Sequence, residues 1–170
     1  MNISDYLTHI DNKDDKPYLK IPLFNVNIRL LNSNKSYRDI VNKCCEHIKF
    51  CALTKMDGYK LPHGMSGANV GIPFNIIGIV NNRGQENPYC DIMINPKIIE
   101  VAGGLKIVES NCGSIRLDKP IRIKRFGNVM VEWDDLDGGL HKEWFSKEDG
   151  GFTIQHEIDH NLGILITDRQ

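Results

Sequence analysis

The pattern with the clearest chemical meaning lies near the end of the sequence, where residues 155–160 read Gln-His-Glu-Ile-Asp-His. Helix residues spaced by four share one face, so His156 and His160 can bind the same metal ion. Glu157 would then stand beside that ion, where its carboxylate can accept a proton from a water molecule. The pattern predicts metal-dependent hydrolysis, with two purely structural histidines as the alternative interpretation.

A catalytic ion of this kind needs a third protein ligand and an open position for water. The third histidine of the metzincin proteases would fall on Ile166, and no glutamate follows Glu157. The third ligand is therefore expected upstream, which weakens the interpretation as a metalloprotease. Spacing alone leaves several candidates open, namely Cys112, Cys90, His63, His141 and various carboxylates.

Two amphipathic segments indicate the helices that would position these groups. Apolar residues recur at steps of three and four between residues 36 and 54, which predicts a helix there. Ser36 and Asp39 resemble a capping box at its start. Residues 150–162 begin with two glycines and then show the same periodicity, so this second helix would carry the two histidines.

Strand-like segments fill the region between these helices, each bounded by Gly, Pro or Asn. We predict short strands over residues 74–80, 90–94, 98–101, 105–108, 121–124, 128–133 and 140–145. The last two would form a hairpin, and Gly103-Gly104 and Gly138-Gly139 are interpreted as turn glycines. The order predicts one α+β domain over residues 1–170, with a polar arm over residues 1–20 and a mainly antiparallel sheet packed around the C-terminal metal-binding helix.

The chain has 170 residues and a formal net charge of −1, with a pI near 6.6. This balance argues against nucleic acid as the main partner, because such binding needs clustered Lys and Arg. Five cysteines, an odd number, do not indicate a secreted disulfide framework, and no segment predicts a signal peptide or a membrane span. We expect a cytoplasmic protein that binds no membrane.

Four segments together resemble one known family. They are residues 64–71, Ile94-Asn95-Pro96, residues 109–114 and the helix pattern at 155–160, which are similar to the motifs of the peptide deformylases. These enzymes remove the formyl group from the N-terminal methionine of new chains. The resemblance implies that Cys112 is the third ligand, which leaves the other four cysteines structural. It also implies hydrolysis by a water on the metal ion, with Glu157 as general acid and base. Fe²⁺ is the implied ion and Zn²⁺ the runner-up, while Ni²⁺ and Co²⁺ suit the same donors.

The resemblance also implies roles for residues around the ion. The side-chain amide of Asn69 and the backbone N–H of Gly113 would stabilise the negative charge that develops on the formyl oxygen. The sequence departs from the family pattern at Asn69, where the family has Gln, and at Ser110, Asn111 and Gly113 around the cysteine. A pocket for the methionine side chain is expected near Gly64, Met65, Phe152 and Thr153.

The expected substrates are N-formylmethionyl nascent peptides, and the protein is expected to act as a monomer with at most weak contact to a ribosome. The sequence ends at Gln170, as in truncated members such as those encoded by phages, whose compartment would be the host cytoplasm. The alternative is a deformylase-like protein that binds metal and peptide termini without turnover. The intact Glu157 argues against it, because a binding module needs no proton acceptor there.

Overall fold

The computed structural model describes residues 19–54, 60–115 and 117–170, so residues 1–18 of the predicted arm lie outside the described residues. Its helices are α1 (Ile28–Ser33), α2 (Lys35–Leu53) and α3 (Gly151–Asn161), and short 3-10 turns cover Ala68–Val70 and Ile166–Arg169. No helix in these ranges is long and apolar enough to cross a bilayer.

Helix α2 matches the predicted amphipathic segment, but the predicted cap is wrong. Asn34, rather than Ser36, caps the helix, because its side chain accepts a hydrogen bond from the Tyr37 N–H. The first N–H groups of a helix have no partner within the helix, and an Asn side chain supplies one. Helix α3 covers nearly all of the second predicted helix.

One sheet contains five antiparallel strands. In sheet order these are β1 (Gly64–Ser66), β2 (Ile76–Asn81), β3 (Tyr89–Ser110), β4 (Ile121–Asp134) and β5 (Leu140–Phe145). Each strand pairs with its neighbour in sequence, which confirms the α+β class with a mainly antiparallel sheet. Strand β5 and its hairpin with β4 also match the prediction.

Strands β3 and β4 are longer than predicted. The strands predicted at 90–94, 98–101 and 105–108 form the single strand β3, and those at 121–124 and 128–133 form β4. The interpretation of Gly103 and Gly104 as turn glycines is wrong. Both have positive φ, 72° and 65°, and lie inside β3, where its register with β4 shifts. A bulge bends a strand without ending it, and glycine tolerates the backbone conformation that this requires.

The sheet packs between α2 and α3. On one face, Ile76 of β2 belongs to a buried cluster with Ile48 of α2. On the other face, Ile77 belongs to a second cluster with Val129 of β4 and Ile154 of α3. Successive strand residues face opposite sides of a sheet, which explains why β2 is apolar along its length. The second cluster holds α3, and with it the two histidines, against the sheet.

The cysteines other than Cys112 lie on α2 or in the core beside it. Cys45, Cys51 and Cys90 are buried, Cys44 is partly buried, and all five cysteines are free thiols. Burial raises the pKa of the Cys45 and Cys90 thiols to about 12. All four pack in or against the buried cluster that contains Ile48 of α2, an environment that suits structural roles.

Candidate metal centre

Helix α3 presents its two histidines on one face. Gly150 precedes the helix with a φ of 82°, a conformation that favours glycine. The rings of His156 and His160 meet edge to face with their centroids 4.6 Å apart. Their Nε2 atoms are 3.1 Å apart. Two imidazole nitrogens from adjacent turns are therefore available to one ion.

Cys112 adds a third donor atom to this pair. It lies two residues beyond the end of β3, and its Sγ is 3.2 Å from Nε2 of His160. The ligand atoms of Cys112, His156 and His160 all lie within 4.8 Å of one another, and no other such group of three occurs in the part of the chain that the structure describes. One thiolate and two imidazoles leave one open position on a tetrahedral ion. The residues present therefore fit a divalent metal ion.

The other candidates for the third ligand lie elsewhere. Cys90 is buried in the cluster beside α2. His63 contacts Arg83, with 2.5 Å between Nε2 and Nη1. His141 lies 2.7 Å from a carboxylate oxygen of Asp135. None of these three joins the helix histidines, whereas Cys112 does.

Burial keeps this cluster uncharged. It lowers the pKa of His156 to about 3 and that of His160 to about 4, so both imidazoles have the neutral form that binds metal. Burial also raises the pKa of the Cys112 thiol to about 12, although hydrogen bonds from Ser114 and Ile115 lower it in part. A bound cation would favour the thiolate.

Glu157 is a buried carboxyl group beside the two histidines of α3. Only 4% of the residue is exposed, and its Oε2 has no hydrogen-bond partner among the described residues. Burial raises the pKa of Glu157 to about 8, with Arg125 acting in the opposite direction. A carboxyl group with such a pKa can both accept and return a proton near neutral pH.

Strand β1 passes close to Glu157 because Gly64 has no side chain. A Cβ on Gly64 would lie 2.8 Å from both Glu157 Cγ and Thr153 Cγ2, which is too close for carbon atoms. Gly64 and Thr153 therefore flank this carboxyl group, and Phe152 precedes Thr153 on α3. The side chain of Met65 points the other way, into the cluster beside α2, because strand neighbours face opposite sides.

Asn69 is buried in the turn Ala68–Val70 and is tightly hydrogen-bonded. Its Nδ2 donates to Ser114 Oγ at 2.6 Å, and its Oδ1 accepts from the Ser66 N–H at 2.8 Å and the Ser66 hydroxyl at 2.6 Å. One amide hydrogen of Asn69 is left for another partner. Gly113, the other expected oxyanion donor, is exposed in the loop after β3, and a Cβ there would meet nothing within 4 Å.

Behind α3 lies an ionic cluster that the sequence analysis missed. Asp159 is buried and pairs with Arg125 and with Arg169, whose Nη2 is 2.5 Å from Asp159 Oδ1. Nη2 of Arg125 has no partner among the described residues. One sequence signal was available, because Arg125 follows buried Ile123 by two residues and therefore shares its strand face.

Two amide side chains also fix α3 to its neighbours. Gln155 accepts from the Phe126 N–H and donates to the Phe126 carbonyl, each at 3.0 Å. Asn161 donates to the Ile76 carbonyl at 3.0 Å. Strands β2 and β4 are therefore both joined to the helix by hydrogen bonds.

The structure combines an antiparallel sheet with a helix whose two histidines form a cluster with Cys112. These features define a candidate metalloprotein of the α+β class. The family model "Polypeptide deformylase" matches residues 13–170. The chain therefore belongs to the polypeptide deformylase family.

Similar proteins agree with this membership. The peptide deformylase of Nitrobacter hamburgensis is 33% identical over 111 residues, which are 62% of this chain and 61% of that protein. The chain thus spans about three fifths of the length of the curated relatives that it matches. A class I type b peptide deformylase from Acinetobacter baumannii shares the fold, with a TM-score of 0.75, 23% identity and 97% of each chain covered. A probable peptide deformylase from Synechococcus phage S-SSM7 has a TM-score of 0.69 at 22% identity, over 96% of this chain and 98% of that one.

Proposed function

We propose that this protein removes the formyl group from N-formylmethionyl peptides of new chains. The observation that carries the proposal is that Cys112 meets His156 and His160 of α3 within 4.8 Å. The same helix carries Glu157, whose Oε2 has no hydrogen-bond partner among the described residues. Family membership supports it. The Acinetobacter baumannii protein of the same fold has been solved with Met-Ala-Ser bound, a peptide that begins with methionine.

Cys112, His156 and His160 would hold the ion. Fe²⁺ is the proposed metal and Zn²⁺ the runner-up, with Ni²⁺ and Co²⁺ compatible, because one thiolate and two imidazoles suit each of them. When bound, such an ion supplies a Lewis acid that polarises an oxygen and lowers the pKa of water toward neutrality.

Glu157 is the proposed general acid and base. In its ionised form the carboxylate accepts a proton from the attacking water, and in its protonated form it gives one to the departing amine. The pKa of about 8 that burial produces makes both forms accessible near neutral pH. The unpartnered Oε2 leaves an oxygen available for these transfers.

The formyl oxygen gains negative charge during the reaction and needs hydrogen-bond donors. The backbone N–H of Gly113 and the second amide hydrogen of Asn69 are the proposed donors, and each such donor contributes about 10²-fold to 10³-fold in turnover. Gly64 and Thr153, which flank Glu157, would lie along the substrate, with Phe152 and the backbone of Met65 beside them.

We further propose that the protein acts as a monomer in the cytoplasm, or in the host cytoplasm if it is phage-encoded. Its substrates are made there, and its five cysteines are free thiols. With a net charge of −1, any contact with the strongly anionic ribosome should be weak and should weaken further with salt.

The test of this function is formate release from formyl-Met-Ala by protein purified anaerobically with Fe²⁺. Wild-type protein should release formate, and Glu157→Ala should lose this activity while keeping its metal. Glu86→Ala, at an exposed glutamate between β2 and β3, is the matched control and should be fully active. A fully loaded wild-type protein that releases no formate would contradict the proposal and favour the binding protein without turnover.

The ligand assignment has a separate test, which is the metal content of Cys112→Ser. We expect this variant to lose most of its iron, because a hydroxyl is a far weaker ligand than a thiolate. Cys44→Ser, at the partly buried cysteine of α2, should keep full occupancy. Full occupancy in Cys112→Ser would overturn the assignment.

A further inference from the structure

The side-chain amide of Asn69 is held by buried partners at its oxygen and at its nitrogen. Its Oδ1 accepts from the Ser66 N–H at 2.8 Å and from the Ser66 hydroxyl at 2.6 Å. Its Nδ2 donates to Ser114 Oγ at 2.6 Å. The Asn69 backbone N–H also donates to Ser66 Oγ, at 3.3 Å. Three hydrogen bonds therefore join Ser66, which is fully buried, to Asn69.

These contacts fix the orientation of the amide as well as its place. A backbone N–H can only donate, so the amide oxygen must face Ser66 and the amide nitrogen must face Ser114. The amide group is planar. Once its oxygen and one of its hydrogens have partners, the direction of the second hydrogen is set. The contacts of Asn69 thus determine where its remaining hydrogen can be donated.

The amide lies between two segments that border the metal cluster. Ser66 follows Gly64 by two residues on β1 and shares its strand face. On that face, a Cβ on Gly64 would lie 2.8 Å from Glu157 Cγ. Ser114 follows the ligand Cys112 by two residues. The amide therefore joins the strand beside Glu157 to the loop that carries Cys112.

We propose that Ser66 is a positioning residue, which acts through Asn69 by directing the second amide hydrogen toward the formyl oxygen. The inference rests on the proposed function, because that function gives this hydrogen its partner. A donor is most effective when it is already aimed at the place where charge develops, since it then needs no reorganisation during the reaction.

The hydroxyl of Ser66 is the part of this arrangement that a substitution can remove. Ser66→Ala takes away one oxygen atom and leaves the backbone N–H of residue 66 as the only donor to Asn69 Oδ1. Solvent does not reach this position, so bulk water cannot take the place of the hydroxyl. The amide can then tilt about its remaining bonds, and its second hydrogen loses its fixed direction.

The first test is the kinetics of formate release from formyl-Met-Ala by fully Fe²⁺-loaded Ser66→Ala. Its kcat should fall about 10-fold with KM unchanged, because the negative charge on the formyl oxygen develops only in the transition state. In the Asn69→Ala background the same substitution should cause no further loss, since the group through which it acts is absent. Ser33→Ala is the matched control and should keep the wild-type kcat, because Ser33 is exposed and its hydroxyl donates to Arg29 within α1.

The second test needs no turnover and uses nuclear magnetic resonance of ¹⁵N-labelled, Zn²⁺-loaded protein. The two hydrogens of Asn69 Nδ2 have different surroundings and should give two separate signals. Ser66→Ala should shift this pair and speed its exchange with solvent. The pair from Asn95, whose Nδ2 donates to Val26 and Asp134, is the internal reference and should not move.

The proposal is overturned if Ser66→Ala keeps the wild-type kcat, if the Asn69 signals do not move, or if its loss adds in full to that of Asn69→Ala. Ser114→Ala removes the other partner of the same amide. It replaces Ser66→Ala if that variant does not fold, and the same results are expected. Shifted Asn69 signals in a protein whose fully loaded wild type releases no formate would contradict the proposed function, while Ser66 would still hold the amide.

Discussion

Two buried carboxyl groups lie two residues apart on α3, and only one of them is paired. Glu157 and Asp159 are 4% and 5% exposed. Asp159 accepts hydrogen bonds from Arg125 and Arg169, whereas Oε2 of Glu157 has no partner among the described residues. This difference in hydrogen bonding distinguishes the side of α3 that carries Asp159 from the side that carries Glu157. The paired acid holds α3 in place, and the unpaired one is the group to which we assign the proton transfers of the proposed reaction.

The same division applies to the other polar residues of α3. Gln155 uses its amide on both backbone groups of Phe126, while Nε2 of buried His160 faces Cys112 and His156. Buried polar groups normally have partners, and those that lack them need an explanation such as an ion or a catalytic role. Hydrogen bonding, rather than burial alone, therefore distinguishes the side of α3 that is fixed to the fold from the side that carries Glu157 and the two histidines.

Replacing the unpaired acid should have the largest effect, and the effect should be on activity. Glu157→Gln removes the proton-transferring group, so turnover should fall about 10²-fold to 10⁴-fold. The free energy of unfolding of the metal-free protein should stay the same or rise, because no ion pair is lost. Formate release and urea unfolding measure the two quantities. Wild-type turnover in this variant would refute the role given to Glu157.

Replacing the paired acid should have the opposite result. Asp159→Asn leaves Arg125, only 4% exposed, without its counter-charge, which should lower the free energy of unfolding by about 3 to 5 kcal/mol. Urea unfolding of the metal-free protein measures this loss. Arg169→Met is the milder comparison, because its side chain is 42% exposed. A loss in Asp159→Asn no greater than that in Glu157→Gln would remove the distinction between the two carboxyl groups.

A smaller loss of stability is expected at Gln155. Gln155→Met keeps the size of the side chain but leaves the Phe126 N–H and carbonyl without their partner on α3. Unpaired backbone groups of this kind cost about 1 to 3 kcal/mol. The same urea experiment measures it, and metal content should remain at the wild-type level. Loss of metal without loss of stability would contradict this structural role and indicate that Gln155 acts on the metal site instead.

The raised pKa of Glu157 also predicts a pH dependence of stability. The Glu157 carboxyl has a pKa near 4.5 when unfolded and about 8 when folded. The unfolded state therefore binds fewer protons between these values, and the free energy of unfolding falls as the pH rises through that window. Glu157→Gln lacks this contribution. The metal-free variant should thus gain stability relative to wild type between about pH 5 and pH 8. A pH-independent difference would contradict the raised pKa.

Local periodicity explains what the sequence could predict. Helix α2 and strand β5 follow unbroken patterns and were located well, and spacing by four was enough to propose His156 and His160 as a pair. The continuity of β3 could not be predicted, because Gly103-Gly104 indicates a turn locally and only pairing with β4 shows a bulge. Cys112 was chosen by family resemblance, and the Asp159 ion pairs depend on tertiary contacts between distant segments.

The contact between Cys112 and His160 joins residues that are 48 positions apart. An ion that bridges them would act as a cross-link, which restricts the unfolded chain much as a disulfide does. Free energy of metal binding would then also be free energy of folding. Chelation should consequently lower the melting temperature, and the shift should grow with the affinity of the ion that is removed.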